Sequence, residues 1–499
     1  MSAEKSPGVD DLAQAYLTQG ALPALPDRHF IGGDWIAGGA PLTLHDPALA
    51  APFHEVAGGG AAEVAQAVAA AKAAQRGWSL LRASERGAIL MRAAALLREE
   101  AACFAFVESL DSGKPLQEAE GDVSGAARAF DYYAGAADKI EGRSFPIGAE
   151  YLGYSEPEPV GITAHIIPWN YPISTAARGI APALAAGCTV VAKPAETTPL
   201  TMLMLAELLV RAGLPAGVCN VVAGLGETAG AALVAHRDVR HVTFTGSVPT
   251  GQGVMRSAAG SVASVVLELG GKSPVIVLAD ADLDAAAEGI TGAIFENAGQ
   301  ICSAGARLVV SQEVHAELIE KVLSRAEALN PGHGLRRPSL GPLNSAGHLA
   351  RVAGRVEAAQ ARGATPLLGG APTTDPVTGK GWFFEPTIFD ALPETDPLVQ
   401  EEIFGPVLAV QIARDADHAL SLAYCSDVAV AAEIYTRDFA AAHRMAREVD
   451  AGQVFINEYF AGGIEVPFGG NRRSGFGREK GFDAVRNYQR VKAVAARIT

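Results

Sequence analysis

Cysteine is scarce in this chain, with five in 499 residues, at 103, 188, 219, 302 and 425. The number is odd, no CxxC occurs, and the eleven histidines show no HxxxH or HExxH spacing. That excludes a disulfide framework and a zinc site. Positive charge is also short. Forty Lys and Arg stand against 55 Asp and Glu, a net charge of −15, and no Lys/Arg cluster reverses it locally. A chain of that sign repels phosphate backbones, so nucleic acid is not an expected partner. Long apolar runs are missing, because Pro, Trp, Asn or Gly interrupts each uncharged stretch, and no membrane span is expected. The first 17 residues carry acids and no apolar stretch, unlike a signal peptide. These absences point to a reducing compartment, the cytoplasm.

What is present reads as globular. Hydrophobic residues make up 49% and charged residues 19%. A chain this long buries roughly three quarters of its unfolded surface, so it needs no metal or cross-link to hold a core. Residues 1–27 are mixed and Pro-containing, an ordered or fraying lead-in. Apolar residues at helical spacing predict helices over 61–72 and 84–110, the second capped by Ser84 and stopped by Gly113-Lys114-Pro115. Between 160 and 271, strands at 161–167, 188–192, 218–222, 241–244 and 264–267 alternate with helices at 176–186, 200–212, 229–235 and 248–259. Such alternation predicts βαβ units, a parallel sheet covered on both faces, and ligands at the carboxyl ends of its strands. After Gly271 it restarts, with strands at 275–278, 308–310, 407–412, 430–435 and 453–456 and helices at 283–297 and 314–329. Pro/Gly-rich stretches at 330–342 and 369–381 read as loops. The tail 487–499 alternates like an edge strand, suited to pairing with another subunit. The expected fold class is α/β, with two doubly wound parallel-sheet domains.

Several segments carry chemistry. Gly224-Leu-Gly226-Glu-Thr-Ala-Gly230 is one residue longer than the GxGxxG dinucleotide fingerprint, and Phe244-Thr245-Gly246-Ser247 also stands where a strand meets a helix. Free N–H groups and the helix dipole favour a phosphate at both turns, although either alone is equally a plain β–α turn. Cys302 lies between Gly299 and Gly305, in backbone that permits close approach of a ligand. A lone free cysteine is nevertheless more often inert core than nucleophile. Glu268 ends the fifth strand beside Gly270 and Gly271.

To these add Asn170 in Pro168-Trp169-Asn170-Tyr171-Pro172, Lys193-Pro-Ala-Glu196, Glu401-Glu402-Ile-Phe404-Gly-Pro406, Pro467-Phe-Gly-Gly470 and Ser474-Gly-Phe-Gly-Arg-Glu479. In order and approximate spacing the set resembles the NAD(P)-dependent aldehyde dehydrogenase superfamily, from about residue 28 to the C-terminus. The resemblance implies an NAD-binding domain of variant Rossmann type (28–140 and 161–271) and a catalytic domain (272–470). It also implies a small β oligomerisation element (141–160 and 484–499) and a homodimer or homotetramer. The implied activity is NAD-dependent oxidation of an aldehyde to a carboxylic acid. Cys302 would attack the aldehyde, forming a thiohemiacetal and then a thioester. Asn170, with the Cys302 N–H, would hold the oxyanion, and Glu268 would activate the hydrolytic water. For the cofactor, Lys193 and Glu196 would hold the adenosine ribose, the carboxylate favouring NAD over NADP. Gly226 and Ser247 would line the pyrophosphate, and Glu402 would bind the nicotinamide ribose with Phe404 against it. Ile166, Trp169, Gly246 and Leu269 complete the implied cofactor set. No metal is implied.

By position in the same comparison, Tyr171, Thr175, Arg178, Glu296, Ile301, Ser303, Glu458 and Phe468 should wall the aldehyde tunnel. Two departures stand out. Many relatives carry an aromatic residue and then a lysine where this chain has Arg178 and Gly179. The lost lysine removes a partner for Glu479 in any proton relay. Arg178 either binds a substrate carboxylate or pairs with Glu296 or Glu458. Two other functions remain open at this point: a CoA-acylating aldehyde dehydrogenase, and a catalytically silent binding protein on the same scaffold. Glu268 argues for water as acyl acceptor against the first. Intact Cys302, Glu268 and Asn170 argue against the second.

Overall fold

The computed structural model describes residues 7–499. Among these, an eight-stranded sheet has the order Asp34–Ile36, His29–Ile31, Cys219–Val221, Thr189–Lys193, Ile162–Ile166, Val239–Gly246, Ser264–Leu269, Gly475–Phe476. Its five central strands run parallel; His29–Ile31 and Gly475–Phe476 are antiparallel to them, and Asp34–Ile36 is antiparallel to His29–Ile31. The first parallel strand, Ile162–Ile166, lies in the middle, with later strands added first to one side and then to the other. The chain therefore reverses direction between Ile162–Ile166 and Val239–Gly246. At such a switch point the loops after neighbouring strands splay apart and leave a crevice. Pro168-Trp169-Asn170 follows one of these strands and Ser247 the other.

Local sequence explains the covering helices. Pro172 pre-sets the backbone for the helix Pro172–Ala186, which ends at Gly187 in a left-handed conformation (φ +93°). Ser247 caps the helix Val248–Ala258, its hydroxyl accepting from the Thr250 N–H. The second sheet has seven strands, in the order Pro366–Leu368, Thr387–Phe389, Val407–Ala413, Arg307–Ser311, Pro274–Val277, Ala431–Tyr435, Gln453–Ile456. All are parallel except the first. A third sheet joins the tail strand Gln489–Arg497 to Tyr151–Pro159 over nine residue pairs, with Ser144–Phe145 beyond. The fold class read from the sequence is the one observed.

The differences have local causes. The helix expected over 84–110 is two helices, Ala83–Glu99 and Ala101–Ser112, because Glu100 leaves helical geometry (φ −101°, ψ 11°). The lead-in forms a helix, Val9–Gln19, whose Leu12, Tyr16 and Leu17 pack on the main core; residues 1–6 lie outside the described part. A long helix, Leu116–Ala136, had no sequence assignment, since Gly121, Gly125 and Gly135 dilute its pattern. The three-residue strands Thr387–Phe389 and Pro366–Leu368 are too short to show a period.

The first sheet buries a polar cluster. His165 and His241 sit buried on neighbouring strands, with Tyr488 stacked on His165 at 5.8 Å and edge-on to His241 at 5.0 Å. Thr163 donates its hydroxyl to the Thr189 carbonyl (3.0 Å), so His165 Nε2 carries the hydrogen and donates to Thr163 Oγ1 (2.9 Å). The bare Nδ1 faces Gly179, where a Cβ would lie 3.0 Å away. A long side chain at 179 would collide with the imidazole, which accounts for glycine there.

Burial lowers the pKa of His165 to about 3 and of His241 to about 4. Unfolded, each titrates near 6.5 and takes up a proton that the folded form refuses. Stability is therefore complete above about pH 6.5 and is lost as pH falls from there toward 4. Each histidine adds up to about 1.4 kcal/mol per pH unit to that slope. Melting curves should show a Tm that falls between pH 7 and pH 5, and a smaller fall in His165→Gln. An unchanged difference between the two pH values in the variant would remove His165 from the account.

Candidate active site

A cavity of about 1090 Å³ opens between the carboxyl ends of the first parallel sheet and the segments that lead into strands of the second. Asn170, Glu268 and Cys302, far apart in the chain, all line it. Cys302 follows a 3-10 turn, Glu296–Gly299, in which Asn297 (φ +46°) and Ala298 (φ +52°) are both left-handed. Consecutive non-glycine residues in that region cost on the order of 1 kcal/mol or more each, so the surroundings must hold them there. They do so by hydrogen bonds. The Asn297 N–H donates to Glu118 Oε2 (3.0 Å), and its side-chain amide donates to the Asn170 carbonyl (3.1 Å). Gln300 Nε2 returns a bond to the Asn297 carbonyl (2.9 Å). The Gln300 carbonyl then accepts from Asn170 Nδ2 at 2.8 Å. That bond uses one amide hydrogen of Asn170 and leaves the other available.

Gly270 and Gly271 let three segments meet. A Cβ on Gly271 would lie 2.6 Å from the Cys302 carbonyl oxygen, and one on Gly270 would lie 2.0 Å from Glu402 Oε2. Burial pushes the Cys302 thiol up to about 12; Arg178 opposes this, and Glu268, Glu402 and Glu479 add to it. Glu268 is buried, and its Oε1 has no hydrogen-bond partner. Burial and then Glu479 hold its carboxyl well above the usual range, against Arg178 and Arg478. Burial thus opposes ionisation of both groups, and each resists ionising while the other is charged.

On one side of the cavity, Lys193 Nζ donates to the Gly224 carbonyl (2.8 Å) and to Glu196 Oε2 (3.1 Å). Glu196, Trp169, Gly246, Ser247, Glu402 and Phe404 line this side. Glu402 accepts the Gly271 N–H (3.0 Å), and burial raises its pKa to about 7. Phe404 stands edge-on to Trp169 at 5.3 Å. Gly226 is exposed and outside the lining, where it opens the helical turn Gly226–Gly230. The close-packed glycine of that motif is Gly224, whose Cβ would lie 2.5 Å from the Gly59 carbonyl. The phosphate-type turn that faces the cavity is instead Thr245 through Thr250. Ile166 and Leu269 pack with Phe244 and Val248 in a small apolar cluster and do not line the cavity.

On the other side, Tyr171, Thr175, Arg178, Glu296, Ile301, Ser303 and Phe468 all line the cavity. Glu458 does not. It is exposed, its carboxylate accepts the Tyr459 N–H (3.2 Å), and Tyr459 and Phe460 take the wall. Left-handed Asn457 (φ +54°) and Phe460 (φ +56°) break the alternation of an extended chain there. Arg178 pairs with neither Glu296 nor Glu458. Its Nε lies 2.5 Å from Glu479 Oε2, and its guanidinium lies 4.9 Å over the Phe468 ring. Asp122, Ser174 and Lys480 also line the wall and had no sequence assignment. Asp122 pairs with buried Lys114, itself 4.0 Å over the Tyr171 ring. Lys480 lies over Phe460 and Phe468, and burial lowers its pKa to about 8. Glu118 and Asp122 are four apart on one helix, and two acids on one helical face were the available signal.

The sequence matches the aldehyde dehydrogenase family over residues 35–494. It is 40% identical over 472 residues to the betaine aldehyde dehydrogenase of Bacillus subtilis (strain 168), covering 93% of this chain and 96% of that one. It is also 40% identical over 474 residues to the hydroxyisobutyraldehyde dehydrogenase of Mycolicibacterium austroafricanum, covering 94% of each. Among solved structures, the indole-3-acetaldehyde dehydrogenase of P. syringae in complex with NAD+ and IAA superposes with a TM-score of 0.95. It is 36% identical, over 99% of this chain and 100% of that one. The extent of these matches, together with the two parallel sheets and the cavity between them, shows that the chain belongs to the aldehyde dehydrogenase family.

Proposed function

We propose that this aldehyde dehydrogenase oxidises an aldehyde to its carboxylic acid with NAD, using Cys302 as nucleophile, Asn170 as oxyanion donor and Glu268 as base. The observation that carries the reading is the presence of these three groups on one cavity wall, beside a groove edged by Glu196 and Glu402. The groove suits a dinucleotide on its own chemistry. It offers a carboxylate at the rim, a helix N-terminus after Ser247, and aromatic faces at Trp169 and Phe404. When bound, NAD supplies the hydride acceptor.

The remaining work belongs to the protein. The Cys302 thiol loses its proton to solvent, and the thiolate adds to the aldehyde carbon. The free amide hydrogen of Asn170 and the Cys302 N–H stabilise the alkoxide; losing one such donor typically costs about two to three orders of magnitude in rate. After oxidation a thioester remains on Cys302. Glu268, as the carboxylate, takes a proton from water, which attacks the thioester, expels the Cys302 thiolate and releases the acid. A base at Glu268 favours water over CoA as acyl acceptor. The relatives named above act on differing aldehydes, so the tunnel residues rather than the family determine the substrate. The free edge of Gln489–Arg497, near exposed Leu152 and Val491, offers a surface for a second copy in a homodimer or homotetramer.

Cys302→Ala should abolish NADH formation while NAD affinity, read by fluorescence titration, stays near wild type. Activity above a tenth of wild type would dismiss Cys302 as the nucleophile. Glu268→Gln keeps the shape and removes the base. Stopped-flow traces should then show a burst of NADH near one per active site followed by slow turnover. Steady turnover at the wild-type rate would mean that another group activates the water.

Cofactor choice should rest on Glu196. Its carboxylate can accept from two ribose hydroxyls, each charge-assisted bond contributing on the order of 1.5–3 kcal/mol. A 2′-phosphate at about 4 Å would be repelled by roughly 4 kcal/mol per unit charge at an effective dielectric near 20. The ion pair with Lys193 and the 45% exposure of the Glu196 side chain reduce that figure. We expect kcat/KM at least about tenfold higher with NAD than with NADP, and erosion of the preference in Glu196→Ser. Equal efficiencies in the wild type would rule out this role for Glu196.

A further inference from the structure

We infer that Glu118 is a positioning residue for the oxyanion site, acting through Asn297 and Gln300 on the Asn170 amide. The inference rests on the proposed role of Asn170. Glu118 lies in the first turn of the helix Leu116–Ala136, on a different segment from every group assigned to the chemistry. Its Oε2 accepts the main-chain N–H of Asn297 at 3.0 Å. Asn297 is the first of the two left-handed residues, and the second, Ala298, has no polar side chain to hold itself in that conformation. The turn is therefore held from outside, and Glu118 is the side chain that grips its entry.

The turn passes the constraint onward. Asn297 Nδ2 donates to the Asn170 carbonyl (3.1 Å) and, at 3.4 Å, to the Gln300 carbonyl. That same Gln300 carbonyl orients Asn170 Nδ2 at 2.8 Å. Gln300 is braced in turn, its Oε1 accepting the Asn344 N–H at 3.0 Å. Losing the Glu118 acceptor frees the entry to the turn, and the Gln300 carbonyl, three residues on, shifts with it. The amide hydrogen of Asn170 then no longer points to the alkoxide, and small displacements of such a donor are costly. Glu118 touches neither aldehyde nor cofactor, so its loss should slow acylation without weakening the binding of either. A glutamine at 118 keeps an acceptor oxygen and should preserve the effect.

The test is a double-mutant cycle read by the rate of the NADH burst. Glu118→Ala should slow the burst about tenfold or more, with KM for the aldehyde and Kd for NAD within about twofold of wild type. Glu118→Gln should restore most of the rate. In an Asn170→Ala background, adding Glu118→Ala should cost less than about threefold, because the group through which Glu118 acts is already gone. If Glu118→Ala does not fold, Glu118→Asp, which keeps a carboxyl group but falls short of the Asn297 N–H, is read the same way. Losses that multiply in full while Asn170→Ala is itself impaired would overturn this inference alone, as would a Glu118→Ala burst within twofold of wild type. An Asn170→Ala enzyme with a wild-type burst would overturn the oxyanion reading and this inference with it.

Discussion

The hydrogen bond from the Asn170 amide to the Gln300 carbonyl, backed by one from the Asn297 amide to the Asn170 carbonyl, joins a loop after a strand of one parallel sheet to the loop before a strand of the other. The rest of the site depends on that junction. Asn170 is delivered by the switch point of the first sheet, where the chain reverses its direction of growth. Gln300 and Cys302 are delivered by a turn that ordinary backbone preferences oppose. Neither sheet alone makes a cavity lined by both Asn170 and Cys302. Their contact does, and Gly270 and Gly271 make the contact close enough by leaving no Cβ between Cys302, Glu402 and the end of the strand.

The electrostatics follow from the same closure. Burial raises the Cys302 thiol and the Glu268 carboxyl together; Arg178 opposes both shifts, and its partner Glu479 adds to both. A thiol and an acid that each resist ionising suit a site that reacts only when a substrate and cofactor change its surroundings. Arg178 stays paired with Glu479, so its guanidinium is part of the site's electrostatics. Among the lining charges, Glu268, Glu296, Arg351, Glu402 and, over two aromatic rings, Lys480 have no salt-bridge partner among the described residues.

Much of this was legible in the chain. The two alternations of strand and helix reappear as two parallel sheets, and the edge-strand pattern of the tail reappears as Gln489–Arg497. The segments around Asn170, Glu268 and Cys302 stood out by their glycines and prolines, which mark backbone that must turn sharply or approach closely. What escaped was short, diluted or decided by a turn. Thr387–Phe389 is too brief for a period, and the glycines of Leu116–Ala136 hid the helix that carries Glu118 and Asp122. Gly226, in the glycine-rich motif, is exposed and outside the cavity lining.

The sequence by itself determined the fold class, the segments that bear reactive groups and the residue types available for chemistry. These depend on periodicity and on local backbone preference, which act over a few residues. Only the tertiary structure decided which side chains share a wall. It put Tyr459 and Phe460 on the cavity in place of Glu458, and it paired Arg178 with Glu479 across 301 positions of chain. It also aimed Glu118 at the backbone of Asn297, 179 residues away. Left-handed turns at Asn297, Asn457 and Phe460 redirect side chains by large angles, and long-range packing, not local propensity, holds each of those turns in place.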